Sequence, residues 1–130
     1  MIKGSCLCGG VRFEVDDVVS NARFCHCSNC RKFSGTAYAA WGLVRADRFA
    51  TTPRNPKVTR YDSGGGERVF CTACGSPLWY EPAQLPQYRG VPLGSIHEGH
   101  VPTPEMHVWV RSKAPWVSIS DELPQHDTHP

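Results

Sequence analysis

Seven cysteines fall into three groups, Cys6/Cys8, Cys25/Cys27/Cys30 and Cys71/Cys74. Thiols spaced C-x-C, C-x-C-x-x-C and C-x-x-C can converge on one ion, and as thiolates they bind soft or borderline metals such as zinc. An odd count does not close into a disulfide framework, so metal is the expected use. The two pairs make one closed four-thiolate site, Cys6, Cys8, Cys71 and Cys74, which clamps the N-terminus to a central hairpin. Four thiolates on Zn²⁺ leave a charge of about −2 and no open position, so this site is structural. The triplet Cys25, Cys27 and Cys30 has no pair left to complete it. Its fourth ligand is water, a substrate thiol, a histidine or nothing. An open zinc on three thiolates activates a ligand. Completed by His97, His100 or His107, the same triplet is a second structural site. His26 lies between two ligands and is expected to point away. A redox switch that releases metal is a further use of such a triplet.

The elements that must carry these groups read as short strands and turns. Gly4 to Gly10 forms the first thiol turn. Val11–Val15 alternates apolar and polar like a half-buried strand, and Val18–Val19 with Ala22–Phe24 leads a second strand to Cys25. Ser28–Phe33 reads as a helical turn with Ser28 as N-cap. Thr36–Val44 is a strand rich in small residues, which either leave space over the metal or let two sheets approach. Residues 45–56 read as a surface connection with a turn at 46–49. Lys57–Tyr61 and Glu67–Phe70 form a hairpin around Ser63–Gly66, and that hairpin delivers Cys71-Thr-Ala-Cys74-Gly75, the form of a zinc knuckle. Leu78–Tyr80 continues the sheet. Pro82–Pro104 is irregular apart from a short strand at 89–93. Met106–Val110 is a late strand, Trp116–Ser120 packs along the sheet, and the polar end forms a loose tail.

With 130 residues the chain is expected to be one domain, 1–130, with a core over about 4–124. The formal charge of +2 is too small to argue for nucleic acid or an anionic membrane as partner. No apolar run approaches the roughly 18 residues of a spanning helix. The first residues lack an apolar signal region, and the thiols point to the reducing cytoplasm as the expected location.

Three stretches resemble the glutathione-dependent formaldehyde-activating enzyme family, also called the GFA or CENP-V domain. They are Gly4-Ser-Cys-Leu-Cys-Gly-Gly-Val-Arg-Phe13, Cys25-His-Cys-Ser-Asn-Cys-Arg-Lys-Phe-Ser-Gly35 and Val69-Phe-Cys-Thr-Ala-Cys-Gly-Ser-Pro-Leu78. His107-Val-Trp-Val and Lys113-Ala-Pro-Trp are similar to its C-terminal part. The resemblance implies a mainly β, zinc-stabilised β-tent fold with short helical turns. It implies two Zn²⁺ sites, a structural one on Cys6, Cys8, Cys71 and Cys74 and a catalytic one on Cys25, Cys27 and Cys30. It further implies a carbon–sulfur lyase acting on adducts of glutathione, or a similar small thiol, with an aldehyde such as formaldehyde. Arg31, Lys32, Arg60 and Arg68 are then candidates for the glutathione carboxylates, or else solvated surface charges. Tyr38, Trp41 and Trp79 line a pocket or belong to the core. The stretch Gly94-Ser-Ile-His-Glu-Gly99 lacks the aspartate pair often found in the family's late loop. His97 and Glu98 stand there as possible acid or base. The alternative function is a non-catalytic, zinc-stabilised binding module.

Overall fold

The computed structural model describes residues 1–130, which fold as eleven strands in two sheets. The smaller sheet has the order β10-β1-β2-β5, from β1 (Ile2–Ser5), β2 (Arg12–Val15), β5 (Phe49–Thr52) and β10 (Ile96–Glu98). The larger has the order β11-β3-β4-β9-β8-β7-β6. Its strands are β3 (Ser20–Cys25), β4 (Ala39–Arg45), β6 (Val58–Asp62), β7 (Gly66–Cys71), β8 (Pro77–Pro82), β9 (Tyr88–Pro92) and β11 (His107–Val108). All pairings are antiparallel except β11 with β3. One short helix, α1 (Ser28–Ser34), and three 3₁₀ turns complete the mainly β fold. No helix is long and apolar enough to cross a membrane.

Side chains alternate across a strand, so each strand of the larger sheet supplies both of its faces. One face packs on the smaller sheet. Val44, Val69, Cys71, Trp79 and Val91 meet Ile2, Phe13 and Val15 there in the main core. The intervening residues, Ala39 and Trp41 of β4 with Cys25 of β3, join Cys30 and Val108 in a second, smaller cluster that Tyr80 and Trp109 pack against. Gly42 allows the close approach on the first face, because a Cβ there would sit 2.1 Å from Val19 Cγ1. Ala39 faces the triplet. The two uses expected for the small residues of this strand therefore alternate along it.

Several boundaries differ from the sequence reading. Cys27, not Ser28, caps α1: its Sγ accepts from the Cys30 amide at 3.2 Å. The thiol outcompetes Ser28 because it stands one residue earlier, in extended backbone at φ −62° and ψ 153°. Strands β1, β5 and β10 arise where turns or irregular chain were expected. β10 has only three residues, and β1 (Ile-Lys-Gly-Ser) and β5 (Phe-Ala-Thr-Thr) lack the alternating apolar and polar side chains that β2 shows over the same length. The late strand is only His107–Val108, because Trp109 takes the left-handed conformation at φ 58°. The polar end is not a loose tail. His107 donates its amide to the Pro124 carbonyl at 2.9 Å, and the His126 amide returns to the His107 carbonyl at 2.9 Å. Trp109 and Val110 bond likewise to Thr128 and His126. These bonds extend the edge of the sheet beyond β11 with backbone groups, which a polar composition does not disclose. Trp116 is exposed rather than packed along the sheet.

Trp79 is buried, and its Nε1 donates to Glu81 Oε2 at 2.7 Å, where Arg60 also donates at 2.6 Å. Glu81→Ala leaves the indole N–H without its acceptor. The expected loss is about 1–3 kcal/mol, read as a lower denaturant midpoint at constant slope; an unchanged midpoint would show that solvent replaces the carboxylate.

Candidate metal centres

The first centre is built from two turns. After β1 the Gly9 amide returns to the Cys6 carbonyl, with Gly9 at φ +74°. The Val11 and Gly10 amides then point at Cys6 Sγ (3.3 Å) and Cys8 Sγ (3.4 Å). After β7 the Gly75 amide returns to the Cys71 carbonyl at 2.8 Å, with Gly75 at φ +77°. Left-handed backbone suits glycine because no Cβ clashes. Ser76 ties the turns together, accepting from the Leu7 amide at 2.9 Å and lying 3.2 Å from Cys74 Sγ. The result gathers the sulfurs of Cys6, Cys8, Cys71 and Cys74 within 4.8 Å of one another.

These sulfurs fit a metal. Cys6 and Cys8 are 3.5 Å apart, and Cys8 and Cys71 3.9 Å. Tetrahedral zinc with Zn–S of about 2.3 Å requires about 3.8 Å between sulfurs, whereas a disulfide requires about 2 Å. Without a cation the four thiols cannot ionise together. Hydrogen bonds from the Ser76 hydroxyl and amide bring Cys74 down to about 5. The Gly10 amide lowers Cys8, but Cys6 and Cys74 outweigh it and push Cys8 up to about 11.

The second centre lies on the other face of the larger sheet. Cys25 ends β3, between β4 and β11, paired with Ala39 and Val108. Cys27 and Cys30 cap and open α1. Their three sulfurs also lie within 4.8 Å of one another, but Cys25 and Cys30 are buried whereas Cys8 of the first centre is exposed. Hydrogen bonds from Cys25 and then Cys30 hold Cys27 far down, at about 2. Contacts with Cys27, then Cys30, and burial push Cys25 well above the thiol range. Cys25 lowers Cys30, yet Cys27 and burial prevail and raise it to about 11. Such a set favours a cation that lets all three ionise.

No histidine joins the triplet's sulfurs. His26 points away from them, as expected: its Nε2 meets His107 Nδ1 at 2.8 Å, and both rings are fully buried. His107 Nε2 meets Asp121 Oδ2 at 2.9 Å. An ionised Asp121 only accepts, so His107 carries its proton on Nε2 and accepts from His26 through Nδ1. Burial, and then the nearby His107 and Lys113, hold the His26 pKa below its ordinary value. The expected alternative ligand His107 is thus engaged at both nitrogens. His97 and His100 join neither thiol group. His97 and Glu98 lie on β10 of the smaller sheet, where Glu98 pairs with Lys3 at 3.6 Å. Arg60 is held by Glu67 and Glu81. Trp79 belongs to the main core, while Trp41 lies against the triplet.

Three buried side-chain nitrogens have no hydrogen-bond partner: His26 Nδ1, Arg31 Nε and Trp41 Nε1. All belong to residues in or beside the triplet. His26 separates two of its cysteines, Arg31 follows the third, and Trp41 packs on them. Buried polar groups are ordinarily satisfied, so three unpartnered nitrogens on these residues set this centre apart from the first.

A family model described as "Glutathione-dependent formaldehyde-activating enzyme" matches residues 1–112. The chain belongs to this GFA family. A Halomonas elongata protein named as a putative glutathione-dependent formaldehyde-activating enzyme is 32% identical over 92% of the chain and 81% of its own length. A Talaromyces marneffei protein of the same name is 32% identical over 54% of the chain and 39% of its own length. A crystal structure of a Rhodobacter sphaeroides protein superposes with a TM-score of 0.63 at 26% identity, covering 75% of this chain and 90% of that one.

The motifs of this GFA protein disclosed the thiol groups but not the His26–His107–Asp121 chain or the place of Arg68, which lies buried beside Cys30. A histidine next to a cysteine motif, and an arginine in an otherwise apolar-facing strand position, were the signals available. His107→Phe removes the acceptor of His26 Nε2 and strands a second nitrogen of that ring. A loss of about 1–3 kcal/mol in zinc-replete denaturation is expected. Wild-type stability in the variant would show that the pair contributes nothing net.

Proposed function

We propose that this single-domain chain is a zinc-dependent carbon–sulfur lyase-type enzyme acting on adducts of glutathione, or a similar small thiol, with an aldehyde such as formaldehyde. Cys6, Cys8, Cys71 and Cys74 would hold the structural zinc, and Cys25, Cys27 and Cys30 the catalytic one. The reduced thiols suit the cytoplasm. The observation that carries this reading is the contrast between the centres. One has four sulfurs and a satisfied surround. The other has three sulfurs, two of them on buried cysteines, and the residues in or beside it carry three buried nitrogens without a partner.

In the synthetic direction a carbon–sulfur bond forms between the thiol sulfur and the aldehyde carbon, and the thiol proton ends on the new hydroxyl oxygen. In reverse that bond breaks and the proton returns to sulfur. Bound zinc would supply a lowered thiol pKa and a Lewis acid at this site. The chain's own part is to hold and enclose. Cys27 is fixed by the Cys30 amide, and Cys25 by its place at the end of β3. Trp41, Tyr80, Met106 and Trp109 surround the sulfurs and limit water. A lower local dielectric strengthens each charge interaction inside that wall.

A binding module without chemistry is the second reading, and one observation favours it. Two open surface depressions have none of the triplet's cysteines in their walls. One, of about 470 Å³, is bordered by Lys3, Arg12 and His97, and the other, of about 510 Å³, by Asp62, Glu67 and Arg89.

Metal analysis of reduced protein separates the readings when paired with an assay. Two zincs per chain are expected, with one remaining in Cys27→Ser. Parent protein should accelerate formation of the hydroxymethyl thioether from glutathione and formaldehyde, and Cys27→Ser should lose about a hundredfold or more, as for removal of a group acting in the transition state. Two zincs with no acceleration for any small thiol would favour the binding module.

A further inference from the structure

Arg68 is the side chain whose surroundings the proposed reaction leaves unexplained. It lies on β7, is only 6% exposed, and forms no salt bridge to any carboxylate, whereas its neighbour Arg60 has two. Its Nε donates to Ser63 Oγ at 3.1 Å. Its guanidinium is held between the rings of Tyr80 and Phe33, at 4.9 and 5.5 Å from their centroids. Both terminal nitrogens are 3.9 Å from Cys30 Sγ. A buried arginine without an opposing charge is costly, so a counter-charge must lie within its shell. The group its terminal nitrogens meet is Cys30 Sγ, which would bear negative charge as a thiolate ligand of a bound metal.

The arithmetic of charge gives this contact its purpose. Three thiolates and Zn²⁺ carry about −1, and a fourth ligand arriving as a thiolate would make about −2. The first centre bears a similar charge with Cys8 in contact with solvent. The second centre has two buried ligands and one half-buried, with none exposed, and can rely less on solvent. We infer that Arg68 is the internal counter-cation of the Cys25/Cys27/Cys30 centre, a positioning residue that draws charge off Cys30 and allows the centre to take an anionic thiolate as its further ligand. This rests on the proposal that the triplet holds a metal. Alternation along β7 makes it possible: Val69 and Cys71 face the main core, and Arg68 faces the triplet.

The test compares Arg68→Met, which keeps length without charge, and Arg68→Lys, which keeps charge without the planar fork. Zinc release to a chromogenic chelator is followed in each, with the four-thiol centre as internal reference. The sulfur-to-metal charge-transfer band of the cobalt-substituted protein is recorded with and without glutathione. Arg68→Met should release the second zinc and lose glutathione affinity by about 10–100-fold, the range typical of outer-shell partners. Its band should move to lower energy, and the first zinc should be unaffected. Arg68→Lys should recover most of both. Parent-like release, band and glutathione response in Arg68→Met would overturn the inference while leaving two zincs in place. A parent with only one zinc would instead overturn the metal reading beneath it, and the inference with it. If Arg68→Met also loses the first zinc, Arg68→Lys decides: parent-like retention supports the charge role, and selective loss of the second zinc refutes it.

Discussion

Neighbouring side chains on a strand leave it in opposite directions, and the larger sheet uses that constraint to keep two thiol groups apart. Cys71 and Arg68 are three residues apart on β7, yet one meets Cys6 and Cys8 while the other meets Cys30. The same rule on β4 sends Val44 into the main core and Trp41 to the triplet. The sheet is thus both the wall between two centres and a source of side chains for each. Had the register slipped by one residue, Arg68 would be driven into the packed core beneath the smaller sheet.

The centres differ in what stands ready to compensate the negative charge of bound thiolates. Around Cys6, Cys8, Cys71 and Cys74, backbone amides and Ser76 approach the sulfurs, and part of the group is open to solvent. Water and weak N–H···S contacts suffice in that setting. Around Cys25, Cys27 and Cys30 the walls are aromatic, and the polar groups are fewer and buried. Charge there has to be answered from inside the protein, which is why a single guanidinium matters more than several surface lysines do. The GFA family match spans residues 1–112 and so includes every cysteine of both centres.

The C-terminal stretch adds a structural role. Its amides and carbonyls lie along His107 to Val110, and Asp121 orients His107 from the surface side. Orientation passes inward from a half-exposed carboxylate to His26, which sits between two cysteines of the triplet. A tail that composition alone would assign to solvent is therefore part of the support for the loop that carries the sulfurs.

Much of this was legible in the sequence where the determinants are local. Cysteine spacing grouped the seven thiols, and Gly9 and Gly75 marked the turns that aim them. Alternation identified β2, and the Ser63–Gly66 turn announced the β6–β7 hairpin. The short strands β1, β5 and β10 showed no legible alternation, and β5 and β10 pair with partners far along the chain. The same holds for the polar contacts around the triplet. His26 and His107 are 81 residues apart, and Arg68 and Cys30 are 38 apart. Local spacing fixes which sulfurs can share an ion, because a tight turn leaves them little other choice. Which charged or polar group stands behind those sulfurs depends on strand order and register, and only the folded sheet decides that.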